Sequence, residues 1–373
     1  MTQNRTAQDA IYLAACAVNG TVPEADRVRT MDLDAVYALA ARHLIGAAIA
    51  YALESAGVRD SRSAAAIAAA MRKTALFERA WNDIKSQLEA RGIWYMPLKG
   101  AVLKSYYPKY GMREFADHDI LFDATRAGDV RAVMEGLGFT TERFGTSNHD
   151  IYHKPPVLNF EMHSALFGPS HDEKLYEYYR NVEDRLLGEG CEKRFSPEDF
   201  YLYFLAHEYK HYSGGGTGLR SLLDTYILLN RAPLDMNYVA AEAERLGIAE
   251  FEQQNRALAL RLLGSEALSE ADGEMLDYML SSGTYGTINH RVENRMRKHG
   301  WGKLRYMLDR FLVPVSKKNR SYAAFAGMYP LFYKHKLLLP LLPFYRTFRA
   351  MRSGRFKREA QAIRQVKGTL RPL

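Results

Sequence analysis

Two carboxylates one residue apart, at positions 117 and 119, constrain this chain more than any other feature. The surrounding stretch reads Met-Pro-Leu-Lys-Gly-Ala at 96–101, then runs through Tyr106, Tyr107 and Arg113 to Ala-Asp-His-Asp-Ile-Leu-Phe at 116–122. On a strand, side chains two apart share a face. Asp117 and Asp119 therefore project together, and His118 and Ile120 point the other way. Paired carboxylates repel, and such pairs are usually kept where a divalent cation sits between them. With a Lys-Gly turn shortly upstream, the pattern points to phosphate chemistry.

The flanking sequence predicts a small mixed α/β unit around this pair. Ile93–Met96 is an apolar run between Gly92 and Pro97 and reads as a buried strand. A short helix follows Gly100 and stops at Pro108, and His118–Phe122 is the second strand. Asp129–Leu137 is a helix ended by Gly138, Phe139–Phe144 and His149–His153 are paired strands, and Gly145–Asn148 is their turn. Leu158–Ala165 alternates cleanly, with Leu158, Phe160 and Met162 on one face and Asn159, Glu161 and His163 on the other. Residues 7–90 read as helices, with Ala-rich runs punctuated by Gly20, Pro23 and Gly57. Helices return after Asp172. One is opened by Ser196-Pro197-Glu198-Asp199, which places a capping serine, proline at the first position and acids in the first turn. The expected organisation is α+β: a helical region over 1–90, an α/β domain over 91–168, a helical domain over 169–290 and a basic extension over 291–373.

Phosphoryl chemistry with two metal ions about 3.5–4 Å apart needs a third carboxylate beside the pair. Glu161, on the polar face of a strand whose other face is apolar, is the best candidate. Lys99 and Gly100 lie between a strand and a helix, where backbone amides and a cationic side chain can meet phosphate. Arg113 would hold the phosphates or fix the loop. His207, Lys210 and His211 share one helical face by their spacing, as do Arg220 and Asp224 on the next helix. They would grip triphosphate or acceptor, or form a buried polar network between helices.

Leu98-Lys99-Gly100, Tyr106-Tyr107, Arg113 and Asp117-His118-Asp119-Ile120-Leu121 together resemble the uncharacterised bacterial nucleotidyltransferase family of the polymerase-β-like superfamily. The resemblance runs over roughly residues 30 to 265 and lies in order and spacing more than in any single motif. His163, His207, Lys210, His211, Arg220 and Asp224 also resemble the family's helical half. The turn is Lys-Gly, as in this branch, where the superfamily usually has Gly-Ser. His118 stands where an aliphatic residue is more usual; if buried, it must be hydrogen-bonded or neutral. The resemblance implies a polymerase-β-like mixed sheet and transfer of a nucleoside monophosphate from an NTP such as ATP to an acceptor hydroxyl. It implies two Mg²⁺ ions on Asp117, Asp119 and Glu161, and triphosphate contacts from Lys99, Gly100 and Arg113, with His207, Lys210 and His211 beside them. The acceptor is left open among small molecules, sugars, peptides, proteins and tRNA. A catalytically silent, nucleotide-binding or antitoxin-like partner protein on the same fold is the rival reading.

His207-Glu208-Tyr209-Lys210-His211 also spells H-E-x-x-H, two histidines able to ligate zinc with a glutamate as base. Lys210 puts a cation inside that motif, and Asp224 is its obvious third ligand. Gly214–Gly218 lacks the lysine and hydroxyl of a P-loop and reads as a flexible connection. Charge is divided unevenly along the chain. Residues 301–373 hold 17 Lys and Arg against 2 acids, while the preceding 300 hold 34 against 41. An anionic partner therefore meets the tail, as a membrane surface or a nucleic acid. The alternative is a basic helical extension packed on the body. The run Leu337–Phe344 is too short and too proline-broken to span a bilayer. A polar start at Met1–Asp9 and only two cysteines, Cys16 and Cys191, suggest a cytoplasmic protein, peripheral at the membrane if the tail docks there.

Overall fold

The computed structural model describes residues 2–58, 60–169, 172–316, 319 and 322–366. Helices come first: α1 (Thr2–Asn19), α2 (Ala25–Arg29), α3 (Leu33–His43), α4 (Gly46–Ser55) and the long α5 (Ser61–Glu89). The mixed segment contains β1 (Tyr95–Pro97), α6 (Gly100–Leu103), β2 (His118–Phe122), α7 (Ala127–Gly136), β3 (Thr140–Arg143), β4 (His149–Lys154) and β5 (Leu158–His163). Then come α8 (Glu173–Tyr179), α9 (Pro197–Gly214), α10 (Leu219–Arg231), α11 (Met236–Leu246), α12 (Ala249–Leu263) and α13 (Glu270–Ser282). The C-terminal part holds α14 (Ile288–His299), α15 (Lys303–Phe311), α16 (Tyr322–Met328), α17 (Pro330–Lys334), α18 (Leu342–Arg352) and α19 (Arg355–Gln365).

Side-chain caps set many of the helix starts. Asp32, Asp60, Asp172, Ser196 and Asp235 each accept a backbone N–H in the first turn of the helix that follows. The strands form one mixed sheet in the order β1-β2-β5-β4-β3, and the fold is α+β as expected. Only β2 and β5 run parallel; the other pairs are antiparallel. The parallel register sets Asp119 beside Glu161, and the β4–β5 register sets His149 beside His163.

One face of the sheet is apolar and packs on α5 and α7. Phe77, Ile84, Leu88, Val130 and Met134 meet Tyr95, Phe122 and Phe160 there. The other face carries the polar residues Asp119, Glu161 and His163 and looks toward α9. The N-terminal helices divide between two cores: α5 serves the sheet, whereas α1, α3 and α4 share a larger core with α9 to α13. Two small cores organise the C-terminal part, one around Val292, Tyr306 and Ala362 and one around Tyr333, Leu339 and Leu342.

The loop that delivers β2 is pinned at several points. Glu114 accepts the backbone N–H of Ala47 at the start of α4, and Lys73 on α5 donates to the Phe115 carbonyl at 2.6 Å. Arg113 pairs with Asp224 on α10. His118 lies within the apolar core, its ring 5.0 Å from that of Phe160 and 5.6 Å from that of Trp81. Neither of its ring nitrogens has a hydrogen-bond partner. Burial, helped by the nearby Lys104 charge, pushes its pKa down to about 3, so the ring is neutral.

A histidine held neutral in the fold but free to protonate when unfolded weakens the fold below its ordinary pKa. The contribution is intact above about pH 6.5 and declines as pH falls toward the folded value. His118→Phe keeps a ring in the stack and removes two unsatisfied nitrogens. It should raise stability by ~1–2 kcal/mol and flatten the acid side of the profile. Chemical denaturation at neutral and mildly acidic pH measures both, and a variant less stable at both pH values would contradict this account.

Candidate active site

The cleft between the polar sheet face and α9–α10 has a volume of about 270 Å³. Its walls include Lys99, Gly100, Arg113, Asp117, Asp119 and Glu161 from the sheet side. Facing them stand His207, Lys210 and His211 from α9. All nine of these residues, singled out in the sequence, therefore converge on one space.

The Lys-Gly turn is unusual in its backbone. Lys99 has φ 40° and ψ −114°, a region sparsely populated by non-glycine residues that costs about 1–3 kcal/mol. Its side chain holds it there: Nζ donates to Asp119 Oδ1 at 2.8 Å and to His207 Nε2 at 3.1 Å. Glycine is required at the next position, because a Cβ on Gly100 would lie 2.4 Å from Arg113 Nη1. Leu98 N–H donates to the Asp119 carbonyl, which ties the turn to β2.

Asp117, Asp119 and Glu161 bring ligand oxygens within 4.8 Å of one another. Their electrostatics differ. Burial opposes charge on Asp119, but the Lys99 ammonium and a 2.8 Å bond from His163 Nε2 overcome it and hold this carboxyl well below its usual range. Both contacts fall on Oδ1, and among the described residues Oδ2 accepts no hydrogen bond. Asp117 is pushed up by burial and then by the charge of Asp119. Glu161 is pushed up to about 7 by burial and by both aspartates. Three crowded carboxylates with free oxygens fit a divalent cation, which would relieve the repulsion that raises two of them.

The α9 wall is cationic but lightly charged. Lys210 is pushed down to about 8 by burial and then by Lys99. His211 is pushed down to about 3, and His207 falls well below its ordinary value, in both cases chiefly by burial. A neutral His207 accepts at Nε2 from Lys99, and His211 Nε2 lies 3.1 Å from the same atom. Arg113 is engaged elsewhere. Its Nε and Nη2 donate to the two carboxylate oxygens of Asp224, each at 2.9 Å, and Tyr107 Oη donates to Oδ1 at 2.7 Å. Fixing the loop is thus its evident task, with Nη1 beside Gly100 left to face the cleft.

The H-E-x-x-H motif does not assemble a zinc centre. The cation against His207 is the Lys99 ammonium, Glu208 accepts from Thr217 Oγ1 at 2.8 Å, and Asp224 is spent on Arg113 and Tyr107. Within the segment 214–218, Gly216 and Gly218 are tightly packed, in contrast to the flexible connection expected, whereas Gly214 has open space around it. A Cβ on Gly216 would lie 2.0 Å from Ser282 Oγ, and one on Gly218 would lie 2.8 Å from the Thr284 nitrogen. His149 was not legible as a site residue. With Glu161 and His163 it forms a second cluster of ligand atoms within 4.8 Å, and only the register of β4 against β5 brings it there.

Glu161 supplies a pH test. In the metal-free chain its raised pKa costs stability as pH rises from the usual carboxyl range through about 7. A cation must displace the proton it holds below that pH. Mn²⁺ or Mg²⁺ affinity, measured calorimetrically, should fall as pH drops from about 8 to about 6, by up to tenfold per unit. Glu161→Gln should weaken binding and remove most of that slope. A wild-type affinity independent of pH over this range would contradict the assignment.

Residues 29–264 match the model of a family described as uncharacterised nucleotidyltransferase. No curated protein and no solved structure matches the chain. The matched span runs from the end of α2 to the end of α12, covering the sheet, the carboxylate cluster and the α9–α10 wall. With the site geometry and the mixed sheet in agreement, the chain belongs to this nucleotidyltransferase family.

Proposed function

We propose that the protein transfers a nucleoside monophosphate from an NTP to an acceptor hydroxyl and releases pyrophosphate. The observation that carries this reading is the convergence of three carboxylates and Lys99 on one wall of the cleft with Lys210 and neutral histidines on the other. Mg²⁺ held by Asp117, Asp119 and Glu161 would neutralise phosphate charge and polarise the reacting oxygens.

The chain's own residues then have separable tasks. His163 orients Asp119 by occupying Oδ1, which leaves Oδ2 for a ligand. Lys99 and Lys210 supply the cations for the triphosphate. An arriving polyphosphate separates the like charges of the two lysines and draws Lys210 back to full protonation. Gly100, having no side chain, lets the Arg113 guanidinium lie against the turn, where Nη1 would meet a phosphate oxygen. Glu161, completing the cation site on the acceptor side, would help to receive the proton of the attacking hydroxyl. The bond formed joins acceptor oxygen to the α-phosphorus, and the bond broken releases pyrophosphate.

Purified protein, Mg²⁺ and each α-labelled NTP, incubated with cell extract, should move label onto an acceptor with matching pyrophosphate release. Asp119→Asn should abolish transfer. Lys210→Ala should weaken NTP binding by ~10–100-fold, the value of a lost charge-assisted phosphate contact. NTP retained by wild type and by Asp117→Asn, with no pyrophosphate released by either, would establish a binding-only partner protein instead.

A further inference from the structure

We propose that the C-terminal lobe docks the protein on an anionic phospholipid surface. The apolar stripes of α15 and α18 would enter the headgroup boundary, and the surrounding lysines and arginines would meet lipid phosphate. This inference does not depend on the catalytic reading of the cleft.

The lobe turns its apolar side outward. On α15, Leu304, Met307, Leu308 and Phe311 follow i, i+3, i+4, i+7 spacing and all are exposed, while Tyr306 on the opposite side is buried. Leu341 at the entry to α18, with Phe344, Tyr345, Phe348 and Met351 along it, repeats that spacing, again exposed, with Leu342 buried behind them. In a globular protein such stripes normally face the core. The two stripes adjoin, since the Phe311 and Phe344 rings meet edge-on at 5.3 Å between centroids. Leu337, in the turn before α18, is 94% exposed. Among the described residues, more large apolar side chains stand exposed between Leu304 and Phe356 than in all of the chain before them. A patch of this extent marks an interaction surface.

Charge selects the occupant. Arg305, Lys336, Arg349 and Arg352 flank the stripes and are exposed. The acids of the lobe are already paired, Glu293 with Arg297, Asp309 with Arg295, and Glu359 with Arg310 and the Tyr306 hydroxyl. The surface therefore offers hydrocarbon within a cationic frame. An anionic bilayer meets both demands, acyl boundary for the stripe and phosphate for the frame. Nucleic acid would satisfy the arginines but leave Leu304, Leu308, Leu337 and Leu341 without a partner, because aliphatic side chains offer no stacking plane. A second copy of this face would satisfy the stripe but set like charges against each other. Among the described residues no helix is long and apolar enough to cross a membrane, so these helices would lie in the interface plane.

Flotation of the full chain with vesicles tests the proposal. The protein should bind phosphatidylcholine vesicles containing phosphatidylglycerol, bind phosphatidylcholine alone at least tenfold more weakly, and lose affinity as salt rises. Combined Leu308→Glu, Leu337→Glu and Phe348→Glu should reduce vesicle binding at least tenfold with an unchanged thermal melt, because all three side chains are exposed. Absence of binding to anionic vesicles overturns the proposal. So does anionic binding that the triple variant retains, which would make the contact one of charge alone. Two further results would also overturn it if vesicles are not bound: dimerisation of the wild type that the triple variant abolishes, or tight binding of single-stranded RNA.

Discussion

The cleft depends on one buried ion pair. Arg113 precedes β2 in the loop, Asp224 lies on α10, and both are buried. Two parallel guanidinium–carboxylate bonds and the Tyr107 hydroxyl satisfy the pair from both sides. Removing one partner from such a pair typically costs about 3–5 kcal/mol, since the other charge is left stranded. Replacing both with apolar groups need not be costly, so the pair is better understood as a fixing device than as a source of stability. It joins the loop that carries Asp117 to the helix that backs the α9 wall. With Arg113 held there, Glu114 reaches α4 and the Phe115 carbonyl reaches Lys73. The loop therefore enters β2 with its position already set by three neighbouring helices.

Within the cleft, a second arrangement decides which groups carry charge. Asp119 has Lys99 and His163 on one oxygen and remains ionised. Its charge, added to burial, is what raises Asp117 and Glu161. Across the cleft, Lys99 from the sheet side and Lys210 from α9 repel each other past histidines that burial keeps neutral. Lys99 meets only part of the carboxylate charge, and Lys210 has no ion pair among the described residues. A cation among the carboxylates and an anion beside the lysines relieve both shortages, which is the pairing a metal–polyphosphate substrate brings. The strained backbone at Lys99 belongs to the same arrangement, because the bonds from its Nζ help to hold it in place, with its carbonyl accepting from the Val102 and Leu103 N–H groups.

Much of this was legible in the sequence where the determinants are local. The alternation of Leu158 to His163 located Glu161 on a polar face, and Ser196-Pro197 marked the start of α9 at its observed position. The i, i+3, i+4 spacing of His207, Lys210 and His211 placed them on one wall. What could not be read is set by register and packing. His149 enters the cleft only because β4 pairs with β5 so that it opposes His163, and nothing within β4 itself signals this. Arg113 and Asp224 lie 111 residues apart, and their pairing is a consequence of the assembled domains. The segment 214–218 looked like a loose connection because glycine is permissive. Gly216 and Gly218 are instead demanded by the close approach of Ser282, Gly283, Thr284 and His43. The division of the N-terminal helices between two cores was likewise invisible to composition, since alanine-rich amphipathic helices look alike whichever core they serve.

The C-terminal lobe differs from the rest in what its apolar residues are for. Elsewhere, buried leucine and phenylalanine side chains close cores of many residues, whereas among the described residues of the lobe two small cores close. It could bury more, because α15 and α18 carry enough apolar side chains at helical spacing to do so. That those side chains stand outward, framed by cations, means that their burial is left to a partner. The lobe also reaches the sheet: a Cβ on Gly327 of α16 would lie 3.2 Å from the Thr146 side chain, in the turn that leads directly into His149. The lobe thus packs against the turn that leads into the strand on which His149 lies beside Glu161 and His163.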